Sequence, residues 1–334
     1  MVRKLVCIAA CGLPLVASGI PARPAYPQGG KGFPPVEAAM RRVDFHVDET
    51  IVLQIDYLRG RLLATRAEAP VHFDNPRSFI LEIDSADITL SARGMSELLN
   101  RYVFAYSGAP LKSLTITVEG KRLRQRGRVN GFPFNILSDV QLTPSGELRL
   151  RPVSIKAFGI SVKGLLGLLG ITLEKMMDLR KAKGVRAEKN DLVLSPTTIL
   201  PPPTIRGHLA RVELRDSAMV QVFRSEHGPV PPALVPPDST AINYMYFLGG
   251  SLRFGNLTMT PADLLILDGD PKDRFDFYLG RYNDQLVAGF SRNTPSKGLI
   301  TTMPDLRTLQ SRGQRSGVRG QGSGVREQPL IPNP

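Results

Sequence analysis

From Val43 onward the chain alternates apolar and polar positions with a period of two, broken by two stretches whose period is close to 3.6. Phe45 and Val47 alternate with polar neighbours. Ile51, Leu53, Ile55 and Tyr57 hold one face of the next run, and Phe79, Leu81 and Ile83 repeat the pattern. Alternation puts residues i, i+2 and i+4 on one side of a strand, so these runs predict strands with one buried face. In SARGMSELLNRYVF the period lengthens. Met95, Leu98, Leu99, Tyr102 and Val103 share a helical face opposite Glu97, Asn100 and Arg101, and Ser91 stands where a cap belongs. Strands are predicted again in LTITVEG, in RLRQRGRV and in the hairpin DVQL-TPSG-ELRLR, whose Pro-Ser-Gly is turn chemistry. DLVLSP, HLARVELRDSAMVQVF, SLRFGNLTM, DLLILDGD, FDFYL and QLVAGF continue the strand pattern, and SPTTILPPP and GPVPPALVPPD read as proline-rich loops.

The second helical stretch, KAFGISVKGLLGLLGITLEKMM, is the most apolar run beyond the N-terminus. Between Lys163 and Glu174 lie ten uncharged residues. As a helix they span roughly 15 Å, half of the roughly 30 Å hydrocarbon core, so a transmembrane helix is not expected. At 100° per residue Leu165, Leu166, Leu168, Leu169, Leu173, Met176 and Met177 gather on one half of the cylinder. Gly164, Gly167 and Gly170 share the other half with Lys163, Glu174, Lys175 and Asp178. Such a helix packs its Leu/Met half on a sheet, lines a groove for an apolar ligand, or lies flat on a membrane surface.

Charge and the N-terminus narrow the setting. The chain of 334 residues carries a net charge of +13, which favours an anionic partner: lipid headgroups, envelope polymer or nucleic acid. Arg3 and Lys4 precede the apolar LVCIAACGLPLVASG, with small residues at Ala17-Ser18-Gly19, so residues 1–22 are expected to be an export signal. Both cysteines, Cys7 and Cys11, fall inside it. Ile8-Ala9-Ala10-Cys11 is similar to a bacterial lipoprotein box, but only six residues separate Lys4 from Cys11, and plain export to the periplasm or exterior is the preferred reading.

Candidate chemistry is sparse. Strand geometry puts Arg122, Arg124, Arg126 and Arg128 on one face, a solvated row or a surface for anionic headgroups; the guanidinium fork suits phosphate. His46, His72, His208 and His227 are scattered without metal-ligand spacing, and no nucleophile elbow, P-loop or dinucleotide fingerprint occurs. Asp268, Asp270 and Asp273 lack a full EF-hand series and read as a polar turn. Neither catalysis nor a cofactor is expected.

Residues 84 to 215 resemble a known family. IDSADITLSARGMSELLNRY runs from a strand into an amphipathic helix, LKSLTITVEGKRLRQRGRV gives paired strands, and DVQLTPSGELRLRPVSIKAFGISVKGLLGLL leads from a hairpin to a Leu/Gly helix. NDLVLSP then closes with a strand. This order is similar to that of the LmeA-like phospholipid-binding proteins of bacterial envelopes, which resemble one module of the tubular lipid-binding (BPI-like) superfamily. The resemblance implies an α+β fold: a strongly twisted, mainly antiparallel sheet wrapped around one or two amphipathic helices, with an apolar channel for acyl chains. It also implies that Leu98, Leu99, Tyr102, Leu165, Leu169, Leu173 and Met176 line that channel; in the expected function Arg122, Arg124, Arg126 and Arg128 approach the headgroups. It offers no catalytic residues.

The chain then divides into a signal (1–22), a Pro/Gly-rich linker (23–40), a lipid-binding-like domain (41–225) and a proline-rich loop (226–240). A strand-rich segment (241–305), expected to be separate or part of the same sheet, and a disordered Arg/Gly-rich tail (306–334) complete it. The expected function is an exported envelope protein that binds or carries phospholipid-like molecules and meets an anionic membrane surface. The alternative is a non-enzymatic envelope scaffold that docks to anionic surfaces through its basic strand and tail. Nucleic-acid binding is disfavoured by the export signal and the absence of Trp.

Overall fold

The computed structural model describes residues 32–157, 160–161, 172–225 and 231–309. The chain lays down β1 (Val36–His46), β2 (Val52–Ala64), the short β3 (Val71–His72) and β4 (Phe79–Ser91). A helix, α1 (Ala92–Leu98), and a π-helical turn (Leu99–Val103) follow. Successive hairpins give β5 (Leu111–Glu119), β6 (Arg122–Val129), β7 (Phe132–Leu142) and β8 (Leu148–Ala157), with β9 (Ile160–Ser161) beside the last. After a helical turn, α2 (Leu173–Met176), come β10 (Val185–Glu188), β11 (Asp191–Leu194), β12 (Thr204–Arg206), β13 (His208–Arg215) and β14 (Ala218–Arg224). The last third adds β15 (Tyr244–Gly249), β16 (Leu252–Phe254), β17 (Leu257–Met259), β18 (Ala262–Asp268) and β19 (Phe275–Tyr278). α3 (Tyr282–Ala288), β20 (Phe290–Asn293) and β21 (Leu299–Met303) end it.

Strands dominate, in curled and mainly antiparallel sheets. The larger sheet runs β13-β14-β4-β2-β1-β15-β18-β21-β20, with β12 and β19 pairing at its sides; the second runs β10-β11-β8-β7-β6-β5. β3, β16 and β17 form a small third sheet. Residues 241–305 are thus continuous with the first sheet, because β15 pairs antiparallel with β1. Residues 36–40, expected as linker, are the start of β1, and Val36, Ala38 and Met40 are buried.

The curl is built from local breaks in the two-residue period. On β1 the inward residues are Val36, Ala38 and Met40, then Val43 and Phe45, continued by Val47 just beyond the strand; the switch falls at Arg42, whose φ is +50°. The matching break on β2 falls at Asp56, which the ladder skips together with Arg42. Leu53 and Ile55 point inward before it, Leu58 and Leu62 after it. On β4 the skipped residue is Asp84: Phe79, Leu81 and Ile83 point inward before it, Ile88 and Leu90 after it. An extra residue on one strand bends the ladder and reverses which side chains face in. Tyr57, expected beside Ile55, is therefore on the opposite face. The second sheet repeats the device at Val153, so that Leu148 and Leu150 give way to Ile155.

The two sheets are joined along one seam by α1 and the π turn. The N-terminus of α1 is capped by Ser91, which accepts from the Gly94 N–H at 3.0 Å. One turn apart, Ser96 and Asn100 serve the backbone of edge strand β5. Ser96 Oγ accepts from the Ile116 N–H at 2.8 Å while donating to Ala92 O. The Asn100 amide accepts from the Leu114 N–H and donates to Leu114 O, both at 2.8 Å. An edge strand otherwise leaves such groups unpaired, and each buried unpaired group costs about 1–3 kcal/mol.

Phe73, just after β3, is the hub of an aromatic cluster that draws in the C-terminal third. Its ring centroid lies within 5.1–5.9 Å of Phe79, Phe247, Phe254, Phe277 and Tyr282. The Tyr282 hydroxyl donates to Asp74 at 2.6 Å and accepts from the Gly255 N–H at 2.9 Å, which satisfies a polar atom inside that cluster.

Only short pieces of the expected helical core fall within the described residues. Among the described residues no helix is long and apolar enough to cross a membrane, and α1 and α2 have only seven and four residues. Most of the Leu/Gly helix expected over 164–177 lies outside the described residues; its end forms α2.

Replacing Asn100 with Leu should lower stability by about 2–3 kcal/mol in urea unfolding, because it strands both polar groups of Leu114 at the seam. Arg93→Ala, on the exposed side of the same helix, should change it by less than about 0.5 kcal/mol.

Candidate functional site

The inward faces of the two sheets do not fully close on each other. Between them lies a cavity of about 360 Å³, within the roughly 300–1,000 Å³ of sites that hold small molecules. The first sheet contributes Leu53, Ile55, Leu58 and Leu62 from β2, Ile83, Ile88 and Leu90 from β4, and Met219 and Phe223 from β14. From the second come Leu114 and Ile116, Leu123, Ile136, Leu148, Leu150 and Ile155. The seam adds Met95, Leu98, Leu99 and Phe104; Phe73, just after β3, and Leu279 of the C-terminal third also meet the wall.

Residues 196–203, predicted as a loop, also belong to this wall: Ile199 and Leu200 face the space between Pro196 and Pro203. Prolines suit this position, because they donate no N–H that would need a partner beside an apolar surface. Pro202 is the one exposed residue of the described wall, so this segment forms a rim.

Polar side chains in the described wall are confined to Gln125, Gln221 and Thr197, and none is charged. Gln125 is internally satisfied: its carbonyl oxygen accepts from the Ser138 hydroxyl at 3.1 Å and its Nε2 donates to Leu123 O at 3.1 Å. The Gln221 amide has no hydrogen-bond partner among the described residues. Gln125 and Gln221 escaped sequence reasoning, although each sits at an inward position of a legible strand, between Leu123 and Gly127 and between Met219 and Phe223.

The residues expected to line a channel separate into three groups. Leu98, Leu99 and Leu173 line the cavity, as does Met177. Leu165 and Leu169 lie outside the described residues, as does the side chain of Met176. Tyr102 is a correction. It is 37% exposed, and its hydroxyl donates to Asp48 at 2.9 Å beside the Arg101–Asp48 ion pair. A regular helix would keep Tyr102 on the Leu98 face. The wider π turn, closed by the Phe104 N–H donating to Leu99 O at 2.8 Å, rotates it outward and brings Phe104 to the wall.

Arg122, Arg124, Arg126 and Arg128 share the outer face of β6, while Leu123 and Gln125 face the cavity. Arg122 pairs with Asp139 at 2.8 Å, and Arg124 is held by Glu119 and by Asn135 at 2.9 Å. Arg128 donates to Gly131 O at 3.1 Å, and Arg126 is exposed. The like charges are thus separated by acidic and amide partners, and the row opens to solvent at the hairpin end near exposed Phe132.

Away from the cavity, Asp268 and Asp270 form the expected polar turn, with Asp268 accepting from the Asp270 N–H at 2.8 Å and from the Asn243 amide at 3.1 Å. Among the described residues no three His, Cys, Asp or Glu side chains group as metal ligands. Burial, then the charges of Asp268, Asp276 and Asp273, push the nearby Asp305 carboxyl up to about 7.

Ile116→Phe, which enlarges a side chain at the cavity wall, should cost less than about 1 kcal/mol. Ile266→Phe, in the close-packed core, should cost about 1–3 kcal/mol by urea unfolding. Asp305 also predicts a pH dependence. Its folded form keeps a proton up to about 7, whereas the unfolded carboxyl releases it near 3.8. Stability should therefore fall as pH rises through that interval and level off above it, with a smaller fall in Asp305→Asn, as read from melting temperatures across the interval. Compared with protein-family models, curated proteins and solved structures, the chain matches none.

Proposed function

We propose that this protein holds an amphipathic, lipid-like molecule, with its apolar chain in the cavity between the sheets and its polar end outside. The observation that carries the reading is the wall itself: side chains from both sheets, the seam and the rim segment converge on one space, with no charged group among the described residues that line it. Burying methylenes there is favourable by about 0.8 kcal/mol each, and needs few polar contacts. Small-to-medium apolar solutes fit such a wall, whereas a free nucleotide or sugar phosphate would enter it without a counter-charge.

The same reading places the protein in a cell envelope, with phospholipid the ligand implied by the family resemblance. The outer arginine row supports contact with anionic headgroups, because Arg126 and Arg128 flank a hairpin whose tip carries exposed Phe132. Surface ion pairs such as Arg122–Asp139 exchange partners at little cost, so a phosphate can compete for the row.

Protein purified without detergent and extracted with organic solvent should release lipid at near-stoichiometric yield by mass spectrometry. Delipidated protein should take up a fluorescent phospholipid from vesicles. Failure of both would overturn the proposal. Arg126→Glu combined with Arg128→Glu should weaken sedimentation with phosphatidylglycerol vesicles several-fold while leaving the extracted lipid unchanged.

A further inference from the structure

We propose that Gln221 is the polar anchor of the cavity, selecting ligands that carry an uncharged hydrogen-bonding group (ester, amide or hydroxyl) beside the apolar chain. This rests on the reading of the cavity as a ligand site and says which chemistry it prefers. Gln221 is 8% exposed, faces the cavity, and has no hydrogen-bond partner among the described residues. Its inward neighbours are apolar: Met219 and Phe223 along β14, and Ile88 and Val212 on the flanking strands. A water molecule at this position would find few protein partners besides the amide, whereas a buried water ordinarily makes two to four hydrogen bonds.

The primary amide both donates and accepts, so it can serve an ester carbonyl, an amide or a hydroxyl. A carboxylate or phosphate is disfavoured, because no cation lines the described wall to replace its hydration. Charged headgroups are therefore left beyond the rim, and the group that reaches Gln221 is neutral. Gln125, on the opposite sheet, does not share the role, since Ser138 and Leu123 already engage its amide.

The test uses delipidated full-length protein loaded with the fluorescent probe N-phenyl-1-naphthylamine, displaced by methyl palmitate or by hexadecane. Wild type should bind the ester about fivefold or more tightly over the hydrocarbon, the gain expected from one net hydrogen bond. Gln221→Leu and the closer isostere Gln221→Met should bind both competitors equally and melt no lower than wild type. Gln125→Leu should melt lower, through the stranded Ser138 hydroxyl, yet keep the preference. Equal binding of the two competitors by wild type, or a preference that survives in both Gln221 variants, would overturn the assignment alone. No probe binding by wild type would overturn the ligand-site reading with it.

Discussion

A strand that follows a tightly curled sheet has to change which of its side chains point inward, because its own period is strictly two. That constraint governs the rest of this structure. Arg42 and Asp56 break the period at matching points of neighbouring strands, and Asp84 breaks it further along the next. Without these breaks, Leu58 and Leu62 would turn to the outer face, each losing about 1.5–3 kcal/mol of burial. With them, every inward position across β1, β2 and β4 stays apolar while the sheet bends. The residues at the breaks are charged and face away from the cavity. Arg274 ties one break to the neighbouring strand, donating to Asp56 at 2.6 Å and to Asp44 of β1 at 2.5 Å.

Curling alone leaves a second problem, which is where each sheet ends. β5 is an edge, and its inner side borders apolar space rather than water. Ser96 and Asn100 solve this by spacing: four residues apart on one helical surface, they reach Ile116 and Leu114 in succession. Their side chains stand in for the missing neighbour strand, which lets the seam close without a continuous ladder. The cavity follows from these solutions. The described wall is apolar apart from Gln125, Thr197 and Gln221, but sheets of this curvature do not bring their faces close enough to fill the space with side chains alone.

Gln221 stands out against that background because it breaks the consistency of the wall without the compensation that Gln125 has. Its amide opens onto the cavity, with no protein partner among the described residues, whereas Ser138 and Leu123 engage that of Gln125. The arginine row is a different kind of feature: its charges are partly paired and lie on the outer face, away from the cavity.

Sequence pattern by itself determined the strand-rich architecture, the cap at Ser91, the outward alternation of Arg122 to Arg128 and the Leu98–Leu99 apolar stripe, because each depends on neighbours a few residues apart. Even there it misplaced Tyr57 and Tyr102: one extra residue in a strand or a wider helical turn is invisible to a fixed period. It read 196–203 as a loop, which it is, but not as part of the wall. Only the tertiary structure decided that 241–305 shares the first sheet through β1, that Asn100 serves an edge strand rather than solvent, and that two inward glutamines differ in whether they have partners. Those facts depend on contacts between residues far apart in the chain, and the separation of one strand face from another carries no information about what packs against it.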